Sequence, residues 1–345
     1  MLEQKNDYQQ HIHVFRGVAI IFIVCAHTIP SLDWSENPVL GRVIDALVNQ
    51  SSIFFFFIAG YLFQHLSERF NFGKYIFQKF KTVIVPYLIL SIPAIFIFTV
   101  LAKRTGVWSW FYLLPVWEQV ALFLLTGKHL APLWFVPTIT IFYFFAPFFL
   151  WIDNKYRNGY WIVVPLIALS TWLGRDGPLG PIDKAIYLLP AYMLGMAFSR
   201  FKAEFLLLIG RWWPVLFVAG LICFVGCVFQ WSEPPYYQFP MKLSFALLLT
   251  WLLYRYHSVF GSRLNYIAEV SFGIFFIHAY IISFIKVLAV YFVSGQLYLG
   301  EGGDVIPGSI PVFTGYVLMV VLITTAIIWV GKKLLGKRSR MVIGA

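Results

Sequence analysis

The 345 residues are 60% hydrophobic and only 12% charged, and they carry a net charge of +11 at pH 7. Long apolar segments repeated along such a chain exclude a soluble globular domain and are typical of a polytopic helical membrane protein. Because the basic residues lie between the apolar segments, the positive charge indicates membrane topology and argues against nucleic acid as a partner.

The hydropathy pattern predicts an all-α bundle in one domain, residues 1–345, with about ten transmembrane helices. The predicted spans are about 14–32, 43–63, 82–101, 132–150, 160–174, 184–198, 212–229, 240–254, 266–292 and 311–330. Residues 105–127 are also apolar, but Pro115, Glu118 and Gln119 interrupt them. We expect an outer-surface amphipathic helix or a re-entrant segment there.

The distribution of basic residues predicts that both termini are cytoplasmic. With this orientation, 18 of the 26 lysines and arginines fall in inner segments, including a basic tail at about 331–345. Such an excess on the inner side is the usual determinant of orientation. The first residues lack the basic start and the cleavage site of a secretory signal, so we expect the first apolar segment to stay in the membrane.

The first predicted span contains Arg16 and His27, which are eleven residues apart. On an α-helix this spacing is about 16 Å of rise and nearly three whole turns, so both side chains lie on one stripe. The spacing predicts Arg16 near one membrane face and His27 near the midplane. An ionisable group at that depth is costly and indicates a functional site, although a histidine bonded to a neighbouring carbonyl is an equal alternative.

Two further patterns lie at the inner ends of the second and third spans. Gly60 follows a run of phenylalanines, and a glycine there allows close approach of another helix or of a ligand. Lys74, Lys79 and Lys81 precede Pro86-Tyr87. These lysines can bind phosphates, or they can interact with anionic lipid headgroups.

Later spans carry three more candidates. Trp134 opens the fourth span, and Ser271 and His278 share a face of the ninth because seven residues separate them. A single intramembrane histidine such as His278 is more often a helix–helix hydrogen bond than a catalyst.

The sequence also disfavours several activities. There is no P-loop, no G-x-S-x-G and no H-E-x-x-H motif, which argues against a phosphate-driven pump, a serine hydrolase and a zinc protease. The cysteines, Cys25, Cys223 and Cys227, lie in apolar runs and show no metal-ligand spacing. We therefore predict no metal site and no permanently bound cofactor.

Together these patterns resemble the membrane-bound acyltransferase-3 family, bacterial enzymes that O-acylate surface polysaccharides, lipid-linked sugars and related acceptors. The resemblance rests on R-G-x-A-(x)7-H at Arg16 and His27 and on F-F-x-x-[SA]-G-[FY] around Gly60. The basic approach to Pro86-Tyr87, the Leu-Trp-Phe opening of the fourth span and S-x-G-I-(x)3-H ending at His278 extend it. The chain departs from the family pattern at His13, Ala59, Lys79 and Lys81, where an acid, a serine and two arginines are usual.

The resemblance implies an O-acetyltransferase of the bacterial cytoplasmic (inner) membrane that moves acetyl from cytoplasmic acetyl-CoA to a sugar hydroxyl at the outer side. Arg16 and His27 would be the essential pair, with His27 as general base or as acyl carrier. The donor-binding residues it implies are Arg16, Lys74, Lys79 and Lys81. The possible supporting residues are His278, Ser271, Trp134 and Gly60.

The expected partners are acetyl-CoA, a sugar or polysaccharide acceptor and membrane lipids, with a homodimer or a polysaccharide-synthesis complex as possible assemblies. The alternative function is an exporter of polysaccharide or lipid carrier, or a proton-coupled transporter, in which His27 and His278 relay protons. The two halves of the chain lack matching pairs of interrupted spans, which argues against that alternative.

Overall fold

The computed structural model describes residues 9–178, 180–232, 236–295 and 306–345, and this part of the chain is helical with no β-strand. The all-α prediction is confirmed. The helices are α1 (Gln10–Thr28), α2 (Pro38–Val48), α3 (Ser52–His65), α4 (Phe72–Lys79), α5 (Val85–Phe96), α6 (Val116–Thr126), α7 (Phe135–Phe144), α8 (Ala146–Lys155), α9 (Val163–Leu173), α10 (Pro181–Arg200), α11 (Lys202–Val228), α12 (Gln238–Ser294), α13 (Ile310–Leu335) and α14 (Ser339–Val342).

Within the described residues, six helical segments are long and apolar enough to cross a membrane, so a multi-pass protein is supported. These segments are Gln10–Ser31, Pro38–His65, Phe72–Leu101, Lys202–Val228, Leu264–Ser294 and Ile310–Val342. The pair α7 and α8, bent by 51°, is a seventh candidate. The predicted spans 160–174, 184–198 and 240–254 are not among these candidates, so the count of about ten is not reached by length and composition.

The helices have three main irregularities, and prolines explain two of them. A π-helical segment, Phe80–Ile84, joins α4 to α5 just before Pro86, whose nitrogen cannot donate the regular helical hydrogen bond. Pro147 lies in the first turn of α8 and disfavours helical geometry at the residue before it. The long helix α12 is interrupted at Tyr256, where φ is −125°, and its two halves pack on different neighbours.

Helix α1 runs parallel to the second half of α12. At one end, the Gln10 side-chain amide donates to the Asn265 side chain over 2.8 Å. At the other end, the rings of His27 and His278 are in contact. Gly17 allows this close approach, since a Cβ at that position would lie only 3.1 Å from the Leu264 carbonyl oxygen.

Helix α3 runs parallel to α10, and the two backbones touch. Near the start of both helices, the Tyr187 hydroxyl donates to the Gln50 side chain. Further along, a Cβ on Gly60 would overlap the carbonyl oxygen of Tyr192. Likewise, a Cβ on Gly195 would overlap the carbonyl oxygen of Phe57. The close neighbour that Gly60 allows is therefore another helix.

The first half of α12 pairs antiparallel with α11, as two glycine contacts show. Gly210 of α11 faces Trp251, whereas Gly226 at the other end faces Tyr237. The opposite surface of α11 exposes large apolar side chains, as expected for a helix in contact with lipid. They include Leu207, Trp212, Phe217 and Ile222.

The apolar segment at 105–127 forms no long helix. Its only α-helix is α6, which has 11 residues and is too short to span a bilayer. Phe111 and Phe123 are fully buried and form a small apolar cluster with Ile95 of α5. The Tyr87 hydroxyl reinforces this contact by donating to the Leu124 carbonyl oxygen over 2.7 Å.

Candidate functional site

His27 lines a cavity of about 450 Å³, which we call the His27 cavity. Six parts of the chain that are distant in sequence line it: the end of α1, the α2–α3 region, the loop after α5, the segment between α6 and α7, the start of α10 with the loop before it, and α12. Its lining includes His27, Asp45, Arg104, Lys128, Trp134, Phe135, Arg175, Asp176, Lys184 and Phe275.

The structure places His27 in the last turn of α1. The apolar segment that contains it runs from Gln10 to Ser31, so His27 lies four residues from its end and not at its centre. The helix ends soon after His27, at a short 3₁₀ turn containing Pro30. The midplane position of His27 stays a prediction.

His278 packs against His27, with ring centroids 5.3 Å apart. The His278 side chain is fully buried. Its Nδ1–H donates to the Ile274 carbonyl oxygen over 2.8 Å, so in a neutral ring Nε2 is left as an acceptor. Among the described residues this Nε2 has no hydrogen-bond partner. This hydrogen bond lies within α12 and does not join two helices as the sequence suggested. The structure therefore leaves an unsatisfied acceptor beside His27.

A second cavity, of about 970 Å³, contains Arg16 and is called here the Arg16 cavity. It is rich in basic side chains, and Glu269 is the acidic side chain among the described residues that line it. Its basic residues are Arg16, Arg69, Lys74, Lys79, Lys332 and Arg340. Glu269 is paired with Lys332 at 2.6 Å, so the cavity carries a clear excess of positive charge.

Arg16 joins the two helices that carry the histidines. Its Nε and one terminal nitrogen donate to the Ala268 carbonyl oxygen over 3.0 and 2.7 Å. The Ser271 hydroxyl donates to the same oxygen over 2.8 Å. Both Arg16 and Ser271 also line the Arg16 cavity. Arg16 therefore holds α1 against α12, whereas the Ser271 hydrogen bond lies within α12.

The three lysines before the third span do not act as one group. Lys74 and Lys79 line the Arg16 cavity, and the Lys79 ammonium lies 5.3 Å from the Tyr75 ring centre and 5.0 Å from that of Tyr143. Lys81 does not line the cavity; it is exposed, and its ammonium lies 4.2 Å from the Phe77 ring centre. Two residues on a helix are about 200° apart, so Lys79 and Lys81 point in different directions.

Trp134, at the start of α7, lines the His27 cavity. The Arg175 guanidinium and the Lys184 ammonium lie 5.8 and 5.7 Å from the centre of its ring. Its indole ring therefore sits between two cations on the wall of the cavity that contains His27.

Phe135 separates the two cavities, because it lines both of them. Its ring is buried between α3 and α12, 5.2 Å from the rings of Phe56 and Phe275. Phe275 lines the His27 cavity, and its neighbour Phe272 lines the Arg16 cavity. A thin aromatic layer is thus the partition between the two spaces.

Sequence analysis missed several polar residues of the bundle. His129 is buried, with Nδ1–H donating to the Phe123 carbonyl oxygen and Nε2 accepting from the Ser91 hydroxyl. Lys242 is also fully buried, and its ammonium donates to the Leu47 carbonyl oxygen over 2.6 Å. Lys242 lies inside an apolar run, and a lysine in such a run is a sequence signal that could have identified it. The basic residues of the His27 cavity had no such signal, since Arg104, Lys128 and Arg175 come from separate loops and Lys184 from the first turn of α10.

These features define a multi-pass helical membrane protein with two polar cavities that approach each other from opposite ends of the bundle. A family model named Acyl_transf_3, described as an acyltransferase domain, matches residues 10–330. The chain belongs to this acyltransferase family, so the resemblance inferred from its motifs is confirmed, and a membrane acyltransferase is supported. Neither the curated proteins nor the solved structures include a match.

Proposed function

We propose that the protein transfers an acetyl group from acetyl-CoA, bound in the Arg16 cavity, to a hydroxyl of a surface polysaccharide or lipid-linked sugar held in the His27 cavity. The observation that carries this proposal is the position of Phe135, which lines both cavities. A donor and an acceptor approaching from opposite ends would meet at this residue, next to His27.

The Arg16 cavity suits the donor. Its volume of about 970 Å³ is at the upper end of ordinary ligand sites. Arg16, Lys74 and Lys79 face into it, and ammonium and guanidinium groups form strong charge-assisted hydrogen bonds with phosphate. The phosphates of acetyl-CoA would lie among these cations, with the pantetheine arm directed past Phe135 towards His27.

His27 would perform the chemistry. As a general base, its neutral imidazole takes the proton of the acceptor hydroxyl while the oxygen attacks the thioester carbonyl carbon. The C–S bond then breaks, and the proton passes from His27 to the departing thiolate, giving an O-acetyl ester and free CoA. In the covalent route, an imidazole nitrogen of His27 attacks the thioester carbonyl carbon, the C–S bond breaks, and the imidazole N–H proton passes to the departing thiolate. The acceptor oxygen then attacks the acetyl-imidazole, the C–N bond breaks, and the hydroxyl proton returns to the imidazole.

His278 and Arg16 would position His27. The unsatisfied Nε2 of His278 is an acceptor for an imidazole N–H of His27, which would leave the other His27 nitrogen available for the substrate. Arg16 holds α1 against α12 through the Ala268 carbonyl, so it fixes the register in which the two rings meet.

Helix directions support ten crossings with both termini in the cytoplasm. Since α3 and α10 run parallel, an odd number of crossings lies between them, and Phe72–Leu101, the α7–α8 pair and α9 supply three. Since α1 and the second half of α12 are also parallel, an odd number of crossings lies between them. With α11 counted as a span, the first half of α12 would cross as well. The Arg16 cavity would then open to the cytoplasm, and its positive charge favours that side. The membrane proposed for this topology is the bacterial inner membrane.

Reporter fusions test this topology. Fusions ending at Asn154, at Gly261 and at the C-terminus should report the cytoplasmic side, whereas one ending at Gly106 should report the outer side. An outer signal at Gly261 would contradict the crossing by the first half of α12, and it would also reverse the assignment of the second half.

The donor site predicts different roles for Lys79 and Lys81. Lys79→Gln should weaken acetyl-CoA binding by roughly 10- to 100-fold, because a hydrogen bond to a charged group is worth about 1.5–3 kcal/mol. The effect should shrink at high salt. Lys81→Gln is the matched control, since it removes the same charge two residues away, outside the cavity. Titration of the purified variants with acetyl-CoA measures both, and equal losses would indicate a lipid-headgroup or non-specific effect.

The function as a whole is tested in producing cells. Deleting the gene should remove O-acetyl groups from a surface glycan, and expression of the wild-type protein should restore them. An unchanged O-acetyl content in all extracellular glycans would contradict the proposed activity.

A further inference from the structure

The His27 cavity gathers basic side chains on the side of the bundle where the chain has few. Placing 18 of the 26 lysines and arginines in inner segments leaves eight elsewhere. Four of those eight line this one cavity: Arg104, Lys128, Arg175 and Lys184. Since the positive-inside rule favours their absence from outer loops, their concentration around His27 requires another explanation.

The carboxylates of the cavity do not balance this charge. Asp45 and Asp176 are the acidic residues among the described residues that line it. Asp176 is shared, because it lies 3.1 Å from Arg175 and 3.0 Å from Lys184. Burial alone would raise the pKa of the Asp176 carboxyl, but these two cations lower it overall, so Asp176 is a full negative charge at neutral pH. Four cations therefore face two acids.

Lys128 lies in the same positive field. Its ammonium is 4.0 Å from the centre of the Trp108 ring, and burial together with the neighbouring Lys184 lowers its pKa. Lys128 and Lys184 both carry positive charge, and like charges on one cavity wall repel each other. An anion bound between them would relieve the repulsion and would also replace the water that the partly buried cations have lost.

The wall of the cavity suits a sugar ring that carries such an anion. Trp134 offers a flat apolar face, on which the less polar side of a pyranose can pack. Arg175 and Lys184 flank that face at 5.8 and 5.7 Å from the ring centre. A negatively charged substituent on a stacked sugar would therefore be within reach of both cations, while the ring stays in the cavity that holds His27.

We propose that the acceptor in the His27 cavity is an anionic saccharide, whose acylated unit or its immediate neighbour bears a carboxylate or a phosphate. This inference rests on the proposed function and narrows its substrate class. A neutral glycan would leave the excess of positive charge on the cavity wall uncompensated, and it would gain nothing from the cations beside Trp134.

The acylated glycan itself tests the proposal. Surface glycans from wild-type and deletion cells would be fragmented, and mass spectrometry would locate the acetyl groups that depend on the gene. We expect them on, or next to, an acidic unit; a uronic acid and a phosphate are distinguished by fragment mass and phosphorus content. Acetyl groups confined to neutral units would overturn this inference and leave the proposed function intact. No gene-dependent acetyl group at all would overturn the proposed function and this inference with it.

A pair of variants tests the residues. Lys184→Gln should lower gene-dependent acetylation at least 10-fold while acetyl-CoA binding in the other cavity, which also reports correct folding, is retained. Lys103→Gln is the control. Lys103 is another of the eight basic residues outside the inner segments, but it does not line the cavity, and its ammonium lies 5.6 Å from the Tyr112 ring centre. Full acetylation by a well-expressed Lys184→Gln protein, or equal losses in both variants, would overturn the proposal.

Discussion

Replacing His27 by alanine should reduce acetyl transfer by roughly 10²- to 10⁴-fold, which is the usual contribution of a positioned general base. His27 lines a cavity, so its removal enlarges an existing space and should leave insertion and acetyl-CoA binding unchanged. Transfer to the gene-dependent glycan and donor titration of the purified variant measure the two effects separately. Full transfer by a well-expressed His27→Ala protein would contradict the assignment.

His278→Gln provides the comparison for His27→Ala. Because His278 is fully buried and does not line the cavity, its replacement should cost less activity and more stability.

A label separates the two chemical routes. Radiolabelled acetyl-CoA added without acceptor should mark His27 if the residue carries the acetyl group, whereas an unlabelled protein that still transfers acetyl favours the general-base route.

Gly60→Ala should strongly destabilise the bundle. The new Cβ would overlap the carbonyl oxygen of Tyr192 and lie 2.8 Å from its carbonyl carbon. These are backbone atoms, which cannot rotate away, so α3 and α10 would have to separate along their contact. The cost should reach about 3 kcal/mol, the upper part of the range for overpacked interiors. Thermal unfolding of the detergent-solubilised protein should show a clearly lower Tm.

Gly315→Ala is the matched control, since a Cβ on Gly315 of α13 meets nothing within 4 Å. Alanine is a better helix former than glycine by about 1 kcal/mol, so this variant should be as stable as the wild type or more so. Comparable losses in both variants would show that glycine matters here for helix formation in general and not for the α3–α10 contact.

The comparison of Gly60 with Lys79 shows what the sequence can predict. A glycine among phenylalanines indicates close packing, and the structure supplies the partner. For the lysines, helical geometry implies that Lys79 and Lys81 diverge, but it does not say which one faces a cavity. That depends on how α4 continues through its π-helical segment and on the aromatic rings of Tyr75 and Tyr143 beneath Lys79.

Other features depend on tertiary packing alone. The motif residues Arg16 and His27 were found because they are close in sequence and share a helix. The cations around His27 come from three loops and from the first turn of α10, which meet only in the folded bundle. The start of the first helix was predicted too late, at about residue 14, for a local reason: a hydropathy window does not detect the polar residues with which α1 begins, Gln10 and His11.

The partition at Phe135 has an electrical consequence. Charged groups line both cavities, and water drawn in by them would conduct the potential of each adjoining solution inward. Most of the membrane voltage would then fall across the aromatic side chains between the cavities. Moving one elementary charge through that layer would involve about 2.3 kcal/mol per 100 mV, whereas a neutral acetyl group would pass without electrical work. In the proposed reaction, the layer would therefore favour group transfer over ion leakage, and the acetyl group would move outward without discharging the membrane.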